Sequence, residues 1–415
     1  MKNKILLSIA DGLGDRPCEE LAGKTPLQYA RTPHLDELAK EGSSGIMDLY
    51  RAGTPVGTDF GHMILFGGYG PEDYPGRGPI EAFGEGMELR PGDVAFRCNF
   101  ATVDEDLLVK DRRAGRIRRG TDKLAGALSG LEIDGIQVLF KEATEHRAVL
   151  VLRGEGLSDQ VTDTDPKVEG EQIRMPRPLD ASEEAAFTAD ILRKFLLRAH
   201  EILADQALNQ ERVSSGLLPA NAVLTRGAGM MPQIRKITDR LHYSACCVAA
   251  ESTVLGVARL AGFDVVTDPD FTGNLDTDVE KKAALAVKAL ENHDFVALHF
   301  KATDLMGHDN QARKKVEAIE KYDHMLACVQ DLLSGREDLG NVIIALAADH
   351  STPCERREHS GDPVPIVISG KNIRKDEVTS YDEISSASGA LCRMKGADFN
   401  SSLLDYLEVS PKMGN

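Results

Sequence analysis

Three stretches far apart in the chain each end an apolar run with side chains that bind metal ions. Lys4-Ile5-Leu6-Leu7-Ser8-Ile9-Ala10 runs into Asp11. Phe295-Val296-Ala297-Leu298-His299-Phe300 runs through Lys301-Ala302-Thr303 to Asp304 and then His308. Asn341 to Ala348 runs into Asp349-His350, with His359 close behind. Carboxylate oxygens and imidazole nitrogens suit Mn, Zn or Fe, and Ca less well. Asp304 and His308 stand at i, i+4 and share one face if that segment is helical. Either that pair or the strand-ending Asp-His is weak alone. Three Asp and three His together suffice for two ions, which in phosphoryl-transfer and hydrolytic sites lie roughly 3.5–4 Å apart.

Thr58 stands in Gly57-Thr58-Asp59, directly before Phe60-Gly61-His62-Met63-Ile64-Leu65-Phe66, which reads as a helix. A hydroxyl at a helix N-terminus faces free backbone N–H groups and the positive end of the dipole, a cradle for phosphate. A cation against that oxygen would make it a nucleophile. The same residue also reads as an ordinary Thr/Asp cap, and the two roles are compatible.

Arginines form a second constellation. Asp111-Arg112-Arg113-Ala114-Gly115-Arg116 is a guanidinium-rich turn, while Arg97, Arg147 and Arg226 are placed at strand ends or in loops. Arginine forks bind carboxylate and phosphate bidentately. Lys110 to Arg119 carries six basic residues in a chain of net charge −17, which points that cluster toward anions. Asp159, Asp163 and Asp165 form an acidic, turn-rich loop that reads as holding substrate hydroxyls, orienting the arginines, or simply making turns. His34, His62, His146 and His299 are left without a role, His62 as a packed or capping histidine.

The elements that must position these residues follow from the runs themselves. Continuous apolar runs of this kind are strands buried on both faces of a parallel sheet, whose ligands sit at the strands' carboxyl ends. Strand–helix alternation covers residues 1–88 and resumes over 240–415, with helices expected near 35–40, 277–292, 314–333 and 401–407 and a last strand at Val364 to Ser369. Between them, 89–239 has an α+β texture. Val94 to Val103 alternates like a strand with one wet face, Ile136 to Phe140 and Arg147 to Arg153 are further strands, and a long helix runs from Glu183 to Gln210. The expected fold is an α/β core with a mainly parallel sheet flanked by helices, carrying an inserted α+β domain placed as a cap.

The chain has 415 residues, 42% of them hydrophobic, enough for one large or two ordinary domains. Its acidity argues against nucleic acid as a partner. No stretch is long and apolar enough for a bilayer. The charged start at Met1-Lys2 leads straight into a strand-like run without a cleavage site, so the expected location is cytoplasmic. Seven cysteines, odd in number and without metal-ligand spacing, read as reduced thiols. Cys354, between His350 and His359, is read as packed.

In this order and spacing the motifs resemble the alkaline phosphatase superfamily. More narrowly they resemble the archaeal-type, cofactor-independent phosphoglycerate mutases. The stretches that carry the likeness are Ala10-Asp11-Gly12-Leu13-Gly14-Asp15-Arg16, Thr32-Pro33-His34-Leu35-Asp36, Gly57-Thr58-Asp59, Phe96 to Thr102, Asp111 to Arg116, Asp163-Thr164-Asp165-Pro166, Arg226-Gly227-Ala228-Gly229, Asp304-x-x-x-His308 and Asp349-His350-Ser351-Thr352-Pro353. The resemblance implies two divalent ions, Mn most of all, with Zn, Co or Mg as alternatives, and no requirement for 2,3-bisphosphoglycerate. Asp11, Thr58, Asp349 and His350 would hold one ion, and Asp304, His308 and His359 the other. It implies a phosphorylated nucleophile, typically serine in the family and Thr58 here. Arg97, Arg112, Arg113, Arg116, Arg147, Asp163, Asp165 and Arg226 would bind a small phosphorylated acid. The expected activity is interconversion of 3-phosphoglycerate and 2-phosphoglycerate, a step of glycolysis and gluconeogenesis. A phosphatase or phosphonate/phosphodiester hydrolase on the same core is the alternative, and a catalytically dead, metal-binding regulator is a third reading.

Overall fold

The structure, a computed structural model, describes residues 3–414. Its strands, in chain order, are β1 (Asn3–Ala10), β2 (Gly42–Asp48), β3 (Val94–Val103), β4 (Val109–Asp111), β5 (Glu132–Ile133), β6 (Ile136–Glu142), β7 (Arg147–Arg153), β8 (Ala222–Met230), β9 (Ala245–Val248), β10 (Asp264–Val266), β11 (Phe295–Phe300), β12 (Asn341–Ala347), β13 (Val364–Ser369) and β14 (Cys392–Lys395). The chain folds as two compact units. One holds the residues up to Tyr74 and from Arg235 onward, and the other is Pro75–Ile234. The first crossing lies before 88 because the helix Arg77–Gly84 packs on β3 and β8 of the inserted unit, and the second lies before 240.

The first unit is an eight-stranded sheet in the order β10-β9-β11-β1-β12-β13-β2-β14. Its centre, β9-β11-β1-β12, is parallel, and β13 runs antiparallel to both neighbours. Ile5, Leu6, Leu7 and Ile9 of β1 are fully buried, as are Phe295, Val296 and Leu298 of β11. Each such side chain contributes about 1.5–3 kcal/mol. Helices cover both faces of the sheet, as a parallel sheet requires. Among them are Pro33–Lys40, Thr58–Gly67, Val279–Ala289 (capped by Asp278, whose side chain accepts from the Lys281 N–H), Ala312–Leu333 and Gly396–Tyr406.

The inserted unit is a six-stranded antiparallel sheet, β4-β3-β7-β6-β5 with β8 on the other side of β3. Every residue of β3 is buried, so the expected wet face is absent. Phe96, Cys98 and Phe100 enter the apolar core under the helix Glu183–Ala204, and the helix Arg77–Gly84 packs against β3 as well. The expected long helix stops at Ala204 and restarts as Ala207–Ser214, because Gln206 takes an extended backbone (φ −66°, ψ 131°). Among the described residues, no helix is long and apolar enough to cross a membrane.

Candidate active site

Three adjacent parallel strands, β11, β1 and β12, deliver the chemistry at one sheet edge. Asp11 follows β1, and Asp349-His350 follow β12. After β11 comes Lys301 and then the helix Ala302–His308, which carries Asp304 and His308 one turn apart. Asp11, Asp304, Asp349 and His350 are buried. Two glycines permit the crowding. At Gly12 (φ +62°) a Cβ would stand 2.6 Å from Asp304 Oδ1, and at Gly61 one would stand 2.5 Å from the Asp349 carbonyl oxygen. The helix carrying Thr58 therefore sits directly on the Asp349 backbone.

Thr58 is not the cap of its helix. The N-cap is Gly57, in an extended conformation, and Thr58 is the first helical residue. Its hydroxyl is left for the site, with Thr58 Oγ1 3.2 Å from His350 Nε2.

Hydrogen-bond bookkeeping fixes which nitrogens are lone pairs. Thr352 Oγ1 donates to Asp304 Oδ1 (2.6 Å), so it accepts from His350 Nδ1 (3.0 Å). In the neutral ring His350 Nε2 is then an acceptor, and it faces Asp349 Oδ2 at 3.2 Å and Asp11 Oδ1 at 3.4 Å. Among the described residues, neither of those buried oxygens has a hydrogen-bond donor. His308 Nδ1 donates to the Arg357 carbonyl (3.0 Å) and His359 Nδ1 to the Val56 carbonyl (2.8 Å). In the neutral rings the two remaining Nε2 lone pairs confront each other at 3.1 Å, with Asp304 Oδ1 at 3.4 Å and 3.6 Å from them. Two clusters of converging acceptors with no proton between them are costly unless cations fill them. Asp11, Asp349, His350 and Thr58 make one such donor set. Asp304, His308 and His359 make the other. Both fit a divalent ion by donor type and number, and each imidazole is oriented through its other nitrogen as metal-binding histidines are.

The electrostatics reflect the crowding. Burial and the neighbouring Asp349 push Asp11 up to about 6. Burial works upward on Asp304 too, but Lys301 and His350 hold it below the usual carboxylate range. Against its burial, Asp349 and Asp11 raise His350 above the ordinary imidazole range. Lys301 was missed by the sequence reading. Its Nζ lies 3.0 Å from Asp11 Oδ2 and 2.6 Å from Asp304 Oδ2, a cation inside the acidic cage. The signal was available, since Lys301 directly follows β11 as Asp11 follows β1. His62 and His299, also fully buried, stand behind the cage. Asp15, Cys18 and Cys354 lie close together as well, but buried Lys315 donates to Asp15 Oδ2 (2.8 Å) and occupies the place of a cation. Cys354 packs with Cys18, Leu21 and Val316.

In the inserted unit, Arg97 and Arg226 are not at strand ends or in loops. They sit opposite each other in the β3–β8 ladder. Like charges in direct cross-strand register repel, and Arg97 is buried with an unpartnered Nε. Burial brings Arg97 down to about 10 against the counter-charge of Glu81, whose Oε1 lies 3.5 Å from Arg97 Nη1. Burial lowers Arg226 as well. Arg147 opens β7 opposite Asn99 and is exposed. Arg112 is committed inside the protein, forking onto buried Asp165 at 2.8 and 2.6 Å. Asp163 accepts from the Gly227 N–H at 2.9 Å. The acidic loop therefore orients an arginine and pins β8. Arg113 and Arg116 are exposed on a turn in which Ala114, Gly115 and Arg116 all have positive φ (47°, 64° and 55°).

A family model described as 2,3-bisphosphoglycerate-independent phosphoglycerate mutase matches residues 39–209. The enzyme of that name from Methanopyrus kandleri is 47% identical, over 100% of this chain and 99% of its own. The one from Methanosphaera stadtmanae is 44% identical over 99% and 100%. The solved cofactor-independent phosphoglycerate mutase of Thermoplasma acidophilum is 37% identical and superposes with a TM-score of 0.74, over 98% of this chain and 100% of its own. Full-length likeness at this level, on an α/β core that gathers Asp, His and Thr58 at one sheet edge, places the chain in the family of 2,3-bisphosphoglycerate-independent phosphoglycerate mutases.

Proposed function

We propose that the protein interconverts 3-phosphoglycerate and 2-phosphoglycerate through a phosphothreonine at Thr58, with two divalent cations at the cage. Asp11, Thr58, Asp349 and His350 would hold one ion, and Asp304, His308 and His359 the other. When bound, the ions lower the pKa of a hydroxyl and neutralise charge on transferring phosphoryl oxygens, and Mn is the first choice. The observation that carries the reading is the placement of Thr58 Oγ1. It is freed from capping and stands 3.2 Å from His350 Nε2, beside two carboxylate oxygens without donors.

The chain's own residues then account for the chemistry. Thr58 Oγ1 attacks phosphorus in line, forming an Oγ1–P bond while the bond from phosphorus to the glycerate 3-oxygen breaks and the hydroxyl proton ends on that oxygen. The first-turn backbone N–H groups of its helix face the phosphoryl oxygens. Lys301 Nζ, paired with Asp11 and Asp304, supplies fixed positive charge within the cage. Glycerate then turns, and its 2-oxygen takes the phosphoryl group back, restoring the Thr58 hydroxyl. Arg97 and Arg226, with Arg147, are assigned to the acid's carboxylate and phosphate. Arg112 acts through Asp165, and Arg113 and Arg116 supply outer positive charge. Retention of the glycerate requires that water be kept from the phosphothreonine.

The test is Thr58→Ala, assayed for isomer formation and inorganic phosphate release together. Loss of mutase turnover supports the covalent route, and undiminished turnover removes it. Phosphate release without isomer formation by the wild-type protein would instead select the hydrolase.

A further inference from the structure

Two fully buried imidazoles behind the cage have no place in the chemistry above. His299, on β11 in register with Ile9 of β1, puts Nε2 3.0 Å from Asp11 Oδ2. Lys301 Nζ reaches the same oxygen at 3.0 Å. Asp11 Oδ2 thus has two donors while Oδ1 has none. His62, four residues after Thr58, donates Nδ1–H to the Thr58 carbonyl (2.8 Å) and lies 3.3 Å from Asp349 Oδ2. The rings meet edge to face, 5.1 Å apart, and each keeps one buried nitrogen without a partner, His299 Nδ1 and His62 Nε2. An unsatisfied buried polar atom costs about 1–3 kcal/mol. An apolar ring would fill the His299 position without that cost, so the compensation must come from the nitrogen that is bonded.

We propose that His299 is a positioning residue for the cation held by Asp11, Asp349 and His350: its Nε2–H ties up Asp11 Oδ2 and leaves Oδ1 as the ligand oxygen. The inference rests on the two-cation reading. A neutral imidazole suits this task because it donates a hydrogen bond without adding charge. A second ammonium or a guanidinium there would compete with the ion it is meant to help. Outer partners of this kind, hydrogen-bonded to a ligating carboxylate, change metal affinity by about 10–100-fold when removed. His62 does the complementary work on the other side, tying the backbone of Thr58 beside Asp349.

The test compares two amides in the metal-stripped full chain, titrated calorimetrically with Mn2+. His299→Gln places an N–H near the position of Nε2. His299→Asn places one near Nδ1 and cannot reach Asp11. In the Asn variant one of the two Mn2+ sites weakens by about 10–100-fold, while the Gln variant stays within a few-fold of wild type and the Asp304 site is unchanged in both. A purely structural role would lower the melting temperature of both metal-free variants and leave both affinities intact. Wild-type affinity at both sites in the Asn variant overturns the inference and leaves the two-cation reading standing. Failure of the wild-type chain to bind Mn2+ overturns that reading and the inference with it.

Discussion

Glu81 is the counter-charge of the buried arginine cluster, and removing it tests whether that cluster is built for an anion. Its Oε1 lies 3.5 Å from Arg97 Nη1, and the two side chains are 8% and 11% exposed. At an effective dielectric constant of about 20, unit charges at that separation attract by about 5 kcal/mol. Glu81→Gln loses this attraction, recovers part of the carboxylate's desolvation cost and keeps an acceptor oxygen. The net destabilisation is about 2–3 kcal/mol. The half-exposed Arg77, also bonded to Glu81, adds little. Arg226, facing Arg97 across the ladder, contributes repulsion that Glu81 no longer offsets. For a unit of this size the melting temperature falls by roughly 5–10 °C. Inorganic phosphate then restores stability in the variant far more than in the wild type, because it supplies the missing negative charge; a ligand at about 100 times its Kd adds about 2.7 kcal/mol. The double variant Glu81→Gln/Arg97→Met regains stability and loses the phosphate response, since replacing both partners is close to neutral. The assay is thermal melting of the full chain in chloride and in phosphate buffer. A Glu81→Gln melt within about 1 °C of wild type, or a double variant that melts below it, refutes the reasoning.

Further expectations follow from the same geometry. Thr58→Ala lowers mutase turnover by at least about a thousand-fold and abolishes transfer of labelled phosphate to the protein, while Thr58→Ser keeps both; label retained in the Ala variant would move the nucleophile elsewhere. Stripping with a chelator lowers the melting temperature and adding Mn2+ restores it, by about 2.7 kcal/mol at 100 times Kd; identical melts would empty the cage of its proposed ions. Glu383, pushed up to about 7 by burial and bonded to Thr25 Oγ1 and the Asp15 N–H, makes stability fall with pH. Its ordinary value is 4.5, so between about 4.5 and about 7 the folded state holds a proton that the unfolded state has lost. The contribution is intact below that window and lost above it. Glu383→Gln flattens the slope of the urea midpoint over the window, and an unchanged slope would put the titration elsewhere.

The cage residues were legible because a buried parallel strand writes itself as an apolar run, and a charged residue ending it has few reasons to be there. β1, β11 and β12 are of this kind. β2, Gly-Ser-Ser-Gly-Ile-Met-Asp, carries no such signal, because it takes its place from the flanking β13 and β14. β3 misled for the opposite reason. Arg97 and Asn99 suggested a wet face, yet both are buried, since the polar face of that strand is itself covered. Arg226 looked like loop because Thr-Arg-Gly-Ala-Gly is mostly glycine and alanine, which strands avoid, but register with β3 overrides propensity there. Thr58 could not be resolved from local residues, since capping and catalysis want the same hydroxyl at the same helix end. Only the assignment of the cap to Gly57 separates them. Lys301, His62 and His299 were within reach. Lys301 met the criterion used for Asp11, and the two histidines interrupt otherwise apolar segments, where a polar ring calls for a partner.

Each unit gathers one cluster with a local charge surplus, negative in the first and positive in the second, and this bears on substrate class more than either motif alone. In the first, Asp11, Asp304 and Asp349 are buried around a single ammonium, Lys301, and two carboxylate oxygens have no donor. In the second, Arg97 and Arg226 share one ladder position, with Glu81 beside Arg97 and Asp165, already forked by Arg112, acting on Arg226. Neither arrangement is what folding stability alone would select, because buried like charges cost more than apolar replacements of the same volume. A divalent cation relieves the first and an anion the second. A simple phosphate monoester would need only the first. The phosphorylated acid proposed above carries a carboxylate as well, to which the guanidinium pair is assigned. Neutralising the pair with Arg97→Met/Arg226→Met should therefore raise KM for phosphoglycerate far more than for p-nitrophenyl phosphate, which lacks the carboxylate. Equal losses on the two substrates would mean that the arginines serve the phosphoryl group alone.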